Sequence, residues 1–360
     1  MSLAQPKRIL IIKLRHHGDV LLSTPVVDAL KTRFPDCEID MLVYAGTGQL
    51  IADNPQIAQI FTIDRNWKKL GVFKQLACEK NLFSKLKARD YDWAFNLSDQ
   101  WRAAVIAKLC ARCSVGLDCI KRDGFWWRFC HDFINHELDT SHHIVENQLN
   151  ILAPLIQPED VADAKVRLWV AQDARESMRQ KLREQGWNGE DYVLLHPGAR
   201  WHFKCWEDGK NAAIVQLLLN SGQNVVLTAS PDTVEQYMLQ EIIGRLNIPE
   251  GRKVYVLSGC LSLRELAAAI EGAKLFIGVD SAPMHIAAAL DKPQIALFGA
   301  SWVDKWRPYS EQAEVIYAGD YAELPHPDSI DTNDPTRLLK AIPLQDVWDK
   351  ISAKLEALEA

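Results

Sequence analysis

No stretch of the 360 residues approaches the ~18 consecutive apolar residues that a membrane-spanning helix needs. The apolar run Ile9–Ile12 is followed at once by Lys13 and Arg15, so it is too short for the core of a secretion signal. A cytoplasmic protein is expected, with at most peripheral contact to a membrane. Excess positive charge is also missing: 41 Lys and Arg stand against 47 Asp and Glu, a net charge of -6. The basic footprint of nonspecific nucleic-acid binding is therefore absent, although a local basic patch can still meet an anionic substrate. The first strand–helix turn has no G-x-G-x-x-G, which weighs against a dinucleotide oxidoreductase. Internal repeats and low-complexity tracts are lacking too.

Cysteine is present but not in a metal-binding pattern. Cys110 and Cys113 form one C-x-x-C, with Cys119, Cys130 and His131 nearby, but no second pair follows at finger spacing. The pair reads either as part of a zinc site or as two small core residues on one apolar helix, AAVIAKLCARC. The missing second pair favours the core reading, and no metal is expected.

What is there is alternation. Apolar strand-like runs at Arg8–Leu14, Ile39–Val43, Ile60–Ile63 and Trp93–Leu97 are separated by helical periods at Leu21–Phe34 and Phe73–Ala88, with Trp101–Cys110 helical again. A second series places strands at Tyr192–His196, Asn224–Thr228, Lys253–Leu257, Lys274–Val279 and Gln294–Phe298. Both series imply βαβ units and parallel sheets, hence an α/β protein of two domains. The polar stretch Gln157–Lys165 and the run to Ala174 separate them, giving domains at 1–165 and 175–335. A last amphipathic helix within 340–360 is expected to pack back on the first domain. Ser114–Ser141 breaks the pattern and reads as a long loop or helical excursion.

In parallel sheets ligands gather at the carboxyl ends of strands. The first strand empties into Arg15-His16-His17-Gly18-Asp19. Asp19 there can accept a proton from an attacking hydroxyl, or simply cap a helix. Asp99 and Gln100 follow another strand, as sugar-hydroxyl partners or as caps. In the second half, His196-Pro197-Gly198-Ala199 offers close backbone approach to a phosphate, and Lys204 a point charge. The segment Asp280-Ser281-Ala282-Pro283-Met284-His285 takes a buried strand into a helix N-terminus, where exposed N–H groups and the dipole favour a diphosphate. The basic, aromatic loop with Lys121, Arg122 and Arg128 either grips acceptor anions near a membrane or is a solvated surface loop.

These segments together resemble the lipopolysaccharide heptosyltransferases, glycosyltransferase family 9. IKLRHHGDVLLSTPVV, FNLSDQW, FKCWED, FIGVDSAPMHIAAA, LFGAS, WRPYS and AGDY carry the likeness in order along nearly the whole chain, most closely to the type III branch. The resemblance implies a GT-B fold, two Rossmann-like domains facing across a cleft, with acceptor bound by the first domain and nucleotide sugar by the second. It implies ADP-L-glycero-D-manno-heptose as donor, a heptose on the lipid A–Kdo core as acceptor, inversion at the anomeric centre and no cofactor. Asp19 matches the family's general base, with His17 and Gly18 beside it on the acceptor side. Lys204, Asp280, Ser281, Ala282 and His285 match its donor site. Gly198 and Ala199 stand where relatives often carry hydroxyl residues, a departure. Leu261 falls near the adenine and Glu235 near the ribose. Two other readings stay open on sequence: a different GT-B enzyme such as a sugar-nucleotide epimerase, and a non-catalytic sugar-nucleotide-binding protein.

Overall fold

The computed structural model describes residues 5–118, 122, 124–157, 159, 161 and 163–359. It divides into two compact units, Met1–Trp169 and Val170–Ala360.

In the first unit the strands are β1 (Arg8–Lys13), β2 (Glu38–Tyr44), β3 (Gln59–Ile63), β4 (Tyr91–Asn96), β5 (Ala111–Asp118) and β6 (Phe133–His136). The helices are α1 (His17–Leu21), α2 (Thr24–Arg33), α3 (Val72–Ala88), α4 (Trp101–Cys110), α5 (Phe125–Phe129) and α6 (Ile144–Asn150). The strand order is β3-β2-β1-β4-β5-β6, with parallel pairing throughout. Buried on both faces, β1 sends Ile9 and Ile11 into one apolar cluster and Leu10 and Ile12 into the other. Within β2 the fully buried Asp40 is matched by Arg89, whose Nε donates at 2.7 Å, and by the Tyr91 hydroxyl, also at 2.7 Å.

The second unit repeats the plan with β7 (Tyr192–His196), β8 (Asn224–Ala229), β9 (Val254–Ser258), β10 (Leu275–Val279), β11 (Gln294–Phe298) and β12 (Ala313–Tyr317). Its helices are α7 (Gln172–Arg183), α8 (Asp208–Asn220), α9 (Thr233–Ile243), α10 (Leu263–Gly272), α11 (Ala282–Ala289), α12 (Val303–Trp306) and α13 (Leu344–Glu359). The order is β12-β11-β10-β7-β8-β9, again all parallel. Numbered within each unit, both sheets run 3-2-1-4-5-6, the Rossmann order. Its crevice lies where the connections reverse, between the first and fourth strands. The turns after β1 and β4, and after β7 and β10, are therefore the places to look for chemistry.

Several expectations need correction. The helix expected over Leu21–Phe34 is two helices, because Pro25 opens α2 and lacks the N–H that would continue α1. The irregular segment 114–141 holds two strands and a short helix. Strand β5 escapes a periodicity reading because α4 passes into it at Ala111 without any Gly or Pro. Strand β12 was likewise not anticipated. Cys110 and Cys113 do not share a helix. Cys110 ends α4 and faces one apolar cluster, while Cys113 on β5 faces the other, across the sheet. Burial pushes both thiols up to about 11, as expected of core residues. Among the described residues no cluster of His, Cys, Asp and Glu is arranged to hold a metal; Cys119 lies outside them. The last helix, expected on the first half, instead buries Val347, Ile351 and Leu355 in the core of the second unit beside α8.

Candidate functional site

The first unit builds its site where β1 and β4 end. Asp19 occupies the first turn of α1 and is half-buried. It does not cap the helix, since His16 holds that position, and its carboxylate makes no hydrogen bond or ion pair among the described residues. Gly18 is helical beside it. Lys13 is buried below this turn, its Nζ donating to Leu97 O at 3.3 Å. Burial pulls its pKa down, and the nearby negative charge of Asp19 opposes that pull. His17 is likewise held below its ordinary pKa by burial, and then by the charges of His16 and Arg65.

The turn after β4 is fastened to the turn after β1. Leu14 N donates to Ser98 Oγ at 2.6 Å, and Gln100 Nε2 donates to Leu14 O at 2.8 Å. The Tyr44 hydroxyl donates to Gln100 Oε1. Asp99 accepts Arg15 at 2.8 Å, so neither Asp99 nor Gln100 caps α4 through its side chain. Between these turns opens a cavity of about 280 Å³ whose lining includes Arg15, His16, Arg65, Lys68 and Arg102. It is suited to an anion. Arg65, Lys68 and Tyr44 were missed by sequence reasoning, because Tyr44 ends β2 and the other two follow β3, strands that the sheet order β3-β2-β1 brings to the same edge as the turn after β1. Their one legible signal was the basic run Arg65–Lys69.

Of the basic loop, Lys121 lies outside the described residues. Arg122 reaches inward, its Nε donating to Asp99 O at 2.7 Å and its guanidinium lying 5.7 Å from the Trp101 ring. Arg128 instead pairs with Asp118 at 2.9 Å, so the two arginines serve different places.

The second unit builds its site where β7 and β10 end. Lys204, in a 3-10 turn (His202–Lys204), pairs with Asp280, and both are largely buried. Ser301 Oγ donates to the same Asp280 oxygen at 2.7 Å. The Lys204 ammonium also lies 5.1 Å from the Trp201 ring. Beyond Asp280, α11 starts at Ala282 with Pro283 in its first turn. Ser281 occupies the N-cap, but its hydroxyl donates back to Val279 O at 3.1 Å and does not cap the helix. His285 is buried in that first turn. An anion-accepting end and an ammonium thus share one face of the sheet's carboxyl edge.

Gly198 has a reason of its own. A Cβ there would stand 2.6 Å from Glu235 Oε2, so any larger residue would have to displace that carboxylate. Glu235, buried in the first turn of α9, accepts Ser230 N at 2.9 Å and lies 3.8 Å from His196 Nε2. Ala199 is buried next to it, and Leu261 is partly exposed on the loop after β9.

Residues 80–336 match the model of glycosyltransferase family 9 (heptosyltransferase). Lipopolysaccharide heptosyltransferase 3 of Escherichia coli is 38% identical over 335 residues, covering 93% of this chain and 95% of the relative. The chain belongs to glycosyltransferase family 9. Family 9 folds match it over almost its full length. A family 9 glycosyl transferase from Veillonella parvula aligns with TM-score 0.83 at 21% identity, over 99% of both chains. The E. coli heptosyltransferase WaaC with ADP aligns at 0.73 and 18% identity, over 96% of this chain and 99% of the other. This family 9 member is thus a glycosyltransferase with the GT-B type of fold, two Rossmann-like units, as its sequence led one to expect.

Proposed function

We propose that the chain transfers L-glycero-D-manno-heptose from ADP-heptose to a heptose of the lipopolysaccharide inner core, the step of the type III enzymes. Support comes from the 38% identity to a relative of that name over nearly the whole chain and from a structural neighbour that holds ADP. The observation that carries the chemistry is the division of groups. An uncommitted carboxylate, Asp19, stands at the switch point of one sheet. A lysine and an open helix end stand at the switch point of the other.

In this reading the second unit binds the donor. Lys204 and the α11 N-terminus take the diphosphate, with Asp280 holding the ammonium in place. Glu235 and Leu261 receive the ribose and adenine. The first unit binds the acceptor, and the basic cavity takes its phosphates or Kdo carboxylates. Asp19 accepts the proton of the attacking hydroxyl, whose oxygen forms the new bond to the anomeric carbon. The bond from that carbon to the diphosphate oxygen breaks, and ADP leaves with the electron pair, its growing charge met by Lys204 and the helix end. One displacement inverts the centre. The reaction requires both units to act on one substrate pair. No cofactor is required. The acceptor is lipid-linked, so the enzyme works at the inner face of the inner membrane.

ADP release tests this. Purified protein releases ADP from ADP-heptose only when a heptose-bearing core acceptor is present. ADP-independent conversion of the sugar nucleotide would instead mark an epimerase, and tight ADP-heptose binding with no turnover on any core acceptor would mark a binding protein.

A further inference from the structure

One face of the first unit gathers nine exposed large apolar side chains, and contiguous apolar patches of that kind mark interaction sites. The start of α3 is turned outward: Phe73 is 89% exposed, Val72 70% and Leu76 59%. Leu82 and Leu86, further along the helix, are buried in the core, with Phe83 packed against it. On α4, Trp101, Val105 and Leu109 are exposed at spacing i, i+4, i+8, which makes a single stripe. On α5, Phe125, Trp126 and Phe129 are exposed and rest on one another, with ring centroids 5.4 to 6.4 Å apart.

These three patches are joined. Helices α3 and α4 are neighbours, tied by the Arg102–Glu79 pair. At the other side Trp101 meets Trp127 of α5 edge to face at 5.5 Å. The α4 stripe therefore bridges the other two.

The charge around this face decides what fits it. Residues 65–87 carry Arg65, Lys68, Lys69, Lys74, Lys80, Lys85 and Lys87 against the single acid Glu79, in a chain whose net charge is -6. Lys69, Lys74 and Lys80 make no ion pair among the described residues. Lysines are depleted in protein–protein interfaces, where burying an ammonium is costly. At a bilayer surface the same pattern is favourable. Phe and Trp enter the headgroup region while lysine stems extend to anionic phosphates.

We propose that this face of the first unit docks on an anionic phospholipid bilayer. The inference rests on the lipid-linked acceptor proposed above for its purpose, and on the exposed face itself for its evidence. Docking would leave the cavity lined by Lys68, which lies at the foot of α3, close to the membrane that presents the acceptor.

Vesicle flotation tests it without reference to turnover. The whole protein should float with phosphatidylcholine–phosphatidylglycerol vesicles, remain behind with phosphatidylcholine alone, and be released by added salt. Phe73→Ser with Trp126→Ser, and separately Lys69→Glu with Lys74→Glu and Lys80→Glu, should each lower vesicle-bound protein at least tenfold. Both sets should keep the wild-type circular dichroism and turnover on a soluble, truncated acceptor. The proposal is overturned if the wild type ignores anionic vesicles at low salt, or if the variants float equally well. It is also overturned if Phe73→Ser with Trp126→Ser converts a solution dimer to monomer, which would make the face a subunit interface. Failed flotation with intact turnover would sink the docking surface and leave the transferase reading standing.

Discussion

Asp280 accepts two donors at one oxygen, the Lys204 ammonium and the Ser301 hydroxyl. In the proposed mechanism Lys204 therefore has two tasks, neutralising a buried carboxylate and meeting the donor diphosphate. Lys204→Ala should lower ADP affinity at least tenfold and cost roughly 2–4 kcal/mol of stability, since it strands a buried charge. Adding Asp280→Ala should return most of the stability and none of the affinity. Isothermal titration with ADP and thermal melts of the two variants separate the tasks. At this scale the positions of the residues proposed for the donor were legible, because each lies within a few residues of its strand end. Lys204 and Asp280 could be placed in one site from their positions in the strand–helix order, but their direct pairing could not. Tyr44, Arg65 and Lys68 were not legible, because their place at the cavity depends on which strands neighbour β1. The zinc reading of Cys110 and Cys113 fails for a similar reason. Three residues apart, they sit on opposite faces of a sheet once a helix ends between them. A chelator should accordingly leave their environment, and the protein's melting temperature, unchanged.

Elements hold the sites through a few side chains. Glu235 fills the place of a Gly198 side chain, so Gly198→Ala would push the Glu235 carboxylate out of its place. That substitution should weaken ADP binding several-fold with little change in the circular dichroism. Glu265 ties α7 to α10. Burial raises its pKa, but hydrogen bonds from Lys181, Ser177 and Ser262 outweigh burial and hold it at about 2. Because its folded pKa is depressed, this stabilisation is complete above the ordinary carboxylate pKa and is lost as pH falls from about 4.5 toward 2. Glu265→Gln should flatten the acid side of the stability profile of the second unit. Strands with long apolar runs were legible. The element boundaries around Pro25 and Ala111 were not, since a proline opening a helix and a helix running directly into a strand leave the hydrophobic period nearly unbroken.

Across the whole molecule the two units share one strand order, and each has its own core. That duplication was readable as two α/β series, because buried parallel strands are apolar on both faces and stand out. The placement of α13 was not, because an amphipathic helix shows which side it buries but not against what. The central claim is that one unit supplies the base and the other holds the leaving diphosphate. A single comparison addresses it most directly: transfer rate and ADP affinity of Asp19→Ala beside wild type, with ADP-heptose and a purified truncated core acceptor. Loss of general-base help predicts a fall in kcat of about 10²–10⁴ with ADP affinity unchanged. Turnover near the wild-type rate in that variant would contradict the account.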